Sequence, residues 1–158
     1  MLRPDYHEAR IYLGHAYHVA KWRKQACREF EVVLRETDDV SMRAFALLNL
    51  GNVYLEGGEH AEAIQYFLDL VQSGAVEESP KFGLSYFNLA LAYGLQERFQ
   101  ECMTWLSRLY SEMPHKRRMI AEEFRSRRQF AGILARNPDF QRQLADQFPC
   151  WFSLNEAC

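Results

Sequence analysis

One short phrase occurs three times in the first hundred residues of this 158-residue chain. Each copy reads leucine, then glycine or alanine, then a tyrosine three residues later, with a small and a large side chain further along. Repeats of this kind predict stacked, similar units that work by presenting a surface. The copies are Leu13, Gly14, Tyr17, Ala26 and Phe30; Leu50, Gly51, Tyr54, Ala63 and Phe67; and Leu89, Ala90, Tyr93, Cys102 and Leu106.

Each copy has the pattern of two helices joined by a turn, because its apolar residues recur at helical spacing on both sides of the turn. Gly57 and Gly58 separate the two helical stretches of the second copy. In the third, Ser79 is expected to cap a helix that starts at Pro80, and Pro114 ends the unit. The sequence therefore predicts three helix hairpins over about residues 7–36, 43–73 and 82–114.

These units resemble tetratricopeptide repeats, whose pattern is a large residue, Leu-Gly, Tyr, Ala, Phe, Ala and Pro in that order. The best match runs from Ala44 to Val71, and the resemblance covers about residues 4–114. Spacings of 37 and 39 residues between the motif leucines exceed the family's 34, which places extra residues in the connecting loops. The resemblance implies an all-α, right-handed superhelix, an α-solenoid, of three hairpins within residues 1–114. Residues 3–6 resemble the end of a preceding repeat, or form a capping turn.

Residues 115–158 break the period and predict a two-helix C-terminal cap packed on the same solenoid. The first helix is expected to run without interruption from about Lys116 to Arg136. Asn137 is expected to cap the second helix, Pro138 to start it and Pro149 to end it. The apolar residues assigned to these two helices are Met119, Ile120, Phe124, Phe130, Ile133 and Leu134, then Phe140, Leu144 and Phe148.

Composition indicates an ordinary globular chain of the cytoplasm. It is 48% hydrophobic and 25% charged, and its net charge of −2 provides no general attraction to nucleic acid or membranes. No apolar run reaches the length of a transmembrane helix, and the first ten residues contain four charges and no signal-peptide core. The four cysteines form no C-x-x-C pair and are expected to be reduced: Cys27, Cys102, Cys150 and Cys158.

The resemblance also implies a concave groove, lined by the first helix of each unit, that holds a partner protein or peptide. Because the implied surface is unusually apolar, we expect an apolar or amphipathic segment to bind there. The alternative is a homo-oligomeric assembly module whose groove is covered by its own C-terminal segment or by a second copy. The expected groove residues are Ile11, His15, Phe45, Leu48, Asn49, Asn52, Leu55, Leu84, Phe87, Asn88, Leu91 and Leu95, with Glu8, His18, Val19, Glu56 and Gly94 beside them.

Other functions find less support. The carboxylate clamp of some family members needs lysine where this chain has Ile11, Leu48 and Phe87, so the asparagines are expected only to hydrogen-bond a ligand backbone. His15 and His18 have the spacing of metal ligands, but no second cluster completes a shell. No catalytic set or phosphate loop is grouped, so neither an enzyme nor a cofactor is expected.

A basic stretch leaves one alternative open. Seven basic residues between 116 and 136 face only two glutamates, which suits either an RNA or acidic-protein contact or a solvated helix face that complements the acidic repeats. We favour the solvated face, because the neighbouring aromatic residues are expected to be buried rather than displayed for stacking. The basic residues are Lys116, Arg117, Arg118, Arg125, Arg127, Arg128 and Arg136.

Overall fold

The structure, a computed structural model, describes residues 4–152 and is all-α over that range, as the sequence predicts. The three predicted hairpins are α1–α2, α3–α4 and α6–α7, and short 3₁₀ turns occur at Pro80–Phe82, Pro114–Lys116 and Pro149–Trp151. The α-helices are α1 (Pro4–Val19), α2 (Arg23–Glu36), α3 (Val40–Glu56), α4 (His60–Gln72), α5 (Ala75–Glu78), α6 (Leu84–Leu95), α7 (Phe99–Glu112), α8 (Arg117–Ser126), α9 (Arg128–Arg136) and α10 (Pro138–Gln147).

The chain divides into two compact units, with the boundary inside α6 between Asn88 and Leu89. The first unit contains both complete hairpins from α1 to α4, together with α5 and the first turn of α6. The second contains the remainder of α6, then α7 to α10.

Within the first unit, the repeated glycine brings the two helices of a hairpin into close contact. A Cβ atom added to Gly14 would lie 2.5 Å from Cε1 of Phe30, and one added to Gly51 would meet Phe67 in the same way. Both phenylalanines are fully buried. The glycine and the phenylalanine sixteen residues later thus form one packing unit, which explains their shared spacing in the sequence.

Successive hairpins share a core, because α2 packs between α1 and α3. Its buried side chains contact the leucine face of α3, and this contact gives Leu50 its complete burial. The core residues are Ile11 from α1; Ala26, Phe30 and Val33 from α2; and Ala46, Leu50 and Val53 from α3.

Leu13 does not follow this pattern, although its motif position predicts an inward side chain. It is 42% exposed, whereas Leu50 and Leu89 are fully buried. The motif leucine is buried by the second helix of the preceding hairpin, as α2 does for Leu50. Within the first unit, α1 packs on α2 and α3, and these contacts leave Leu13 exposed.

Turn chemistry agrees with the sequence at some positions only. Gly58 has a φ of +82°, which a residue with a Cβ rarely adopts. Ser79 makes no capping bond, and Pro80 starts a 3₁₀ turn rather than α6, which begins at Leu84. Asn137 does not cap α10 either, because its amide donates back to the carbonyl of Ile133. The expectations for Ser79 and Asn137 were therefore wrong.

In the second unit, the long helix expected over residues 116–136 is broken at Arg127, whose backbone is extended, so α8 and α9 are separate helices. On one continuous helix, Phe130 would lie roughly 120° and Ile133 roughly 180° around the axis from Phe124. A single straight helix could not bury all three against one surface. The break does so, and it brings the rings of Phe124 and Phe130 to 4.9 Å between centroids.

The chain after α10 turns back onto the same unit. The ring of Phe148 stacks on Trp151 at 4.2 Å, and Trp151 lies 4.9 Å from Phe124 of α8. Arg125 donates a hydrogen bond of 3.2 Å to the carbonyl of Cys150. Residues 148–152, which we call the aromatic tail, therefore pack within the second unit. Cys158 lies outside the described residues.

Candidate binding groove

A pocket of about 320 Å³ lies between α1 and α3 in the first unit; we call it the α1–α3 groove. Ile11 and Phe45, both expected site residues, line it together with apolar Met42. Its lining also contains charges of both signs, Glu8 and Lys81. The complete lining is Glu8, Ile11, Tyr12, Ser41, Met42, Phe45 and Lys81.

Lys81 is held at the groove edge by two aromatic rings. Its Nζ lies 4.5 Å from the ring centroid of Phe45 and 5.0 Å from that of Phe82, and it donates a 3.4 Å hydrogen bond to Ser41. Phe45 and Phe82 contact each other edge to face at 5.0 Å. An exposed ammonium fixed by cation–π contacts offers a positioned positive charge beside an apolar floor.

The histidines of α1 occupy a polar margin. His15 is exposed and outside the groove lining. His18 and Lys21 both contact Glu56 of α3, each with a nitrogen to oxygen distance of 3.2 Å. Desolvation raises the pKa of the Glu56 carboxyl, but Lys21 and His18 outweigh it and hold this pKa below its ordinary value. This cluster ties α1 to α3.

The three asparagines expected to meet a ligand backbone already have partners. Asn88 Nδ2 donates to Asn52 Oδ1 at 2.9 Å, which joins α6 to α3 within the first unit. Asn49 Nδ2 donates to the carbonyl of Phe45 at 2.7 Å. The bond between Asn88 and Asn52 holds α6 against α3, and each of the three amide groups keeps spare hydrogen-bonding capacity.

The apolar groove expected from the sequence is smaller in the structure. Phe87 and Leu91 are 1% and 0% exposed, and Leu55 is buried as well. Leu84 is exposed, while Leu48 and Leu95 are half-buried. The part of the expected groove formed by Leu55, Phe87 and Leu91 is therefore covered by the chain itself.

The burial of α6 has a physical cause that its sequence carries. The helix contains no charged residue, and a helix that is apolar on all sides is buried on all sides. In the second unit, α9 packs on it at Gly94, where an added Cβ would lie 3.2 Å from Cδ1 of Ile133. Leu91 precedes Gly94 by three residues and shares its face.

Several groove residues do not follow from motif positions. Tyr12 lies on α1 one turn after Glu8, and Met42 lies on α3 one turn before Phe45. Lys81 comes from the 3₁₀ turn that precedes α6, outside any helix of the repeat. Its signal in the sequence was a lysine next to Phe82, but only the fold places that turn against α3.

Neither a metal site nor a membrane-spanning helix is found in the described structure. Residues 4–152 contain no group of three or more histidine, cysteine or acidic side chains able to hold a metal. None of the helices there is long and apolar enough to cross a bilayer. Cys27, Cys102 and Cys150 are free thiols, and burial raises the pKa of Cys102 to about 12.

One segment of the chain matches a known protein family. Residues 46–73, which run from the first turns of α3 to the end of α4, match the family model of the tetratricopeptide repeat. No curated protein matches the chain.

Proposed function

Because the chain is a tetratricopeptide repeat protein, we propose that it is a non-enzymatic scaffold that binds a segment of a partner protein in the α1–α3 groove. Tetratricopeptide repeats generally mediate protein–protein interactions. The observation that carries the proposal is the groove itself, in which apolar and charged side chains converge from α1, α3 and the turn before α6.

The lining suggests the chemistry of the bound segment. Ile11, Met42 and Phe45 offer an apolar floor for one or two side chains, and Lys81 offers a positive charge at the edge. An amphipathic segment with an acidic residue beside its apolar anchor would match both features. The free thiols of Cys27, Cys102 and Cys150 suit the reducing cytoplasm as the setting for this function.

Site-specific photo-crosslinking tests the proposal. A photoreactive amino acid placed at Ser41, in the groove, is expected to capture a defined protein in cells of the source organism. The same group at Gln65, exposed on α4, serves as the control and is expected to leave that protein uncaptured.

The contacts of Lys81 provide the matched variants. Lys81→Glu reverses the charge at the groove edge and is expected to abolish the Ser41 product, while Lys24→Glu, on the exposed side of α2, leaves it intact. Circular dichroism checks that both variants remain folded. Equal products from Ser41 and Gln65, or capture that survives Lys81→Glu, would remove the groove from consideration.

A second candidate function is self-assembly, and the exposed apolar side chains of α1 favour it. Eight large hydrophobic side chains are exposed in the described structure, and four of them lie on or just after this helix. Their exposed fractions are 66% for Tyr12, 42% for Leu13, 67% for Val19 and 56% for Trp22. Large apolar side chains concentrated in this way on one helix indicate an interaction surface.

The occupant we propose for this face is α1 of a second copy, in a twofold dimer. The equivalent leucine face of α3 is covered by a helix, α2, so the surface geometry suits a helix. A twofold axis brings the same apolar surface of both copies together. The dimer therefore requires no second binding surface on either copy.

Light scattering over a wide concentration range tests this assembly. We expect a dimer for the wild type and a monomer for Leu13→Glu combined with Val19→Glu. Met119→Glu replaces a side chain of similar exposure on α8 and is expected to leave the dimer unchanged. A wild-type chain that stays monomeric at every concentration would rule the dimer out, and a Ser41 crosslink to a second copy would place it in the groove instead.

A further inference from the structure

The second unit contains a separate cavity that the repeats do not explain. It has a volume of about 420 Å³ and lies between α8, α9, α10 and the aromatic tail, entirely within residues 124–152. Its volume falls in the range of small-ligand sites. We call it the C-terminal pocket.

The walls of the pocket are mainly aromatic. Phe124 lies at the centre, with ring centroids 4.9 Å from Phe130, 4.9 Å from Trp151 and 5.7 Å from Phe152. Leu134 of α9 adds an aliphatic side chain to the lining. An apolar group of about the size of a phenyl ring would lie against this aromatic lining, in which Phe152, 38% exposed, is the most accessible ring.

Arg125 is the cation of the lining. Arg125 is exposed and uses one of its N–H groups on the carbonyl of Cys150, so further donors of its guanidinium remain for a ligand.

The charge of the pocket has one sign. Arg125 is the charged residue of the lining, and neither aspartate nor glutamate is among the described residues that form the pocket. Gln141 of α10 adds a neutral amide. A cation beside an aromatic lining suits an anion attached to an apolar body.

We propose that the C-terminal pocket binds a carboxylate attached to a bulky apolar group, with the apolar group against the aromatic lining beside Phe152 and the carboxylate on Arg125. Such a group occurs in a free aromatic acid and at the C-terminus of a peptide that ends in phenylalanine. The proposed binding does not involve the α1–α3 groove, because every residue that lines the C-terminal pocket belongs to the second unit.

Nuclear magnetic resonance of the indole N–H groups gives a direct measurement. The chain has three tryptophans, and Trp151→Phe assigns the signal of Trp151 by its loss. Titration with 3-phenylpropionate is expected to move the Trp151 signal with a dissociation constant on the order of 1 mM. The signals of Trp22 and Trp105 are expected to stay in place.

Matched ligands separate the parts of the proposal. The neutral 3-phenylpropanamide lacks the carboxylate, and acetate lacks the phenyl group. Both are expected to bind about tenfold more weakly than 3-phenylpropionate or not at all. A Gly-Ser-Gly-Ser-Phe peptide with a capped N-terminus and a free C-terminal carboxylate is titrated in the same way. Its affinity, compared with that of 3-phenylpropionate, distinguishes a peptide C-terminus from a free acid as the ligand. Binding by the amide equal to that of the acid, or no binding by either carboxylate, would overturn the proposal.

Matched variants locate the site. Arg125→Gln is expected to weaken binding about tenfold, whereas Arg128→Gln, an exposed arginine outside the lining, leaves it unchanged. Ala131→Glu places a negative charge in the exposed part of the lining and is expected to repel the ligand. Ala131→Gln adds a side chain of the same shape without the charge and is expected to weaken binding much less. Equal affinities for the Arg125 and Arg128 variants, or shifts confined to Trp22 and Trp105, would show that the pocket is not the site.

Discussion

At the scale of single residues, identical motif positions have different environments. Gly14 and Gly51 both stand against a buried phenylalanine, so here the motif repeats faithfully. Leu13 and Leu50 also occupy one motif position, yet the first is 42% exposed and the second fully buried. A motif residue specifies a contact only where its partner is present.

Gly51→Ala tests the close approach of two helices in one hairpin. Its new Cβ would overlap the ring of Phe67, and we expect the free energy of unfolding to fall by roughly 1–3 kcal/mol. Gly132→Ala is the matched control, because its Cβ meets only Arg136 at an ordinary 3.6 Å. That variant is expected to gain roughly 0.5–1 kcal/mol. Thermal and chemical denaturation give both values, and stabilisation by Gly51→Ala would contradict this packing.

At the scale of the helix, local signals set some boundaries and tertiary contacts set others. Asp39 caps α3, since its Oδ1 accepts a 2.8 Å hydrogen bond from the backbone of Met42. The break between α8 and α9 has no proline or glycine to cause it. It follows instead from the need to bury Phe124 and Ile133 against one core.

Asp39→Ala is expected to lower the stability by about 1 kcal/mol, because the first turn of α3 loses its cap. Asp38→Ala removes a neighbouring exposed carboxylate that lies outside the cap and is expected to change little. Hydrogen exchange in the first turn of α3 should accelerate in the Asp39 variant alone. Equal effects of the two substitutions would mean that the cap contributes nothing.

At the scale of the whole molecule, the charge distribution bears on the choice between a nucleic-acid contact and a solvated helix face. The net charge is −2, and several members of the basic stretch have partners within the chain. Arg118 pairs with Glu122 at 3.1 Å and Arg127 with Glu123 at 2.5 Å, while Arg117 lies over the ring of Tyr110. These contacts favour the solvated face.

Chromatography on heparin tests that choice. We expect the wild type to pass a heparin column without retention at an ionic strength of about 0.15 M. Glu122→Gln combined with Glu123→Gln removes the carboxylates that pair with Arg118 and Arg127 and is expected to delay elution, most clearly at low salt. Strong retention of the wild type that declines with added salt would instead indicate a polyanion-binding surface.

The sequence alone was sufficient for the helical class and the three hairpins. These properties depend on residues that lie close together in the chain, and a repeated spacing reports them directly. The match of residues 46–73 to the family model confirms the second of these hairpins as a tetratricopeptide repeat. The burial of most of α6 was also within reach, because the helix contains no charged residue.

Only the tertiary structure decided which apolar residues stay accessible. Phe87 and Leu91 were expected in the groove and are buried, whereas Leu13 was expected inside and is exposed. Lys81 reaches the groove from a turn, and the C-terminal pocket combines residues from four segments of the second unit. Exposure depends on which distant segments pack on a given face, and the local spacing of residues carries no record of those contacts.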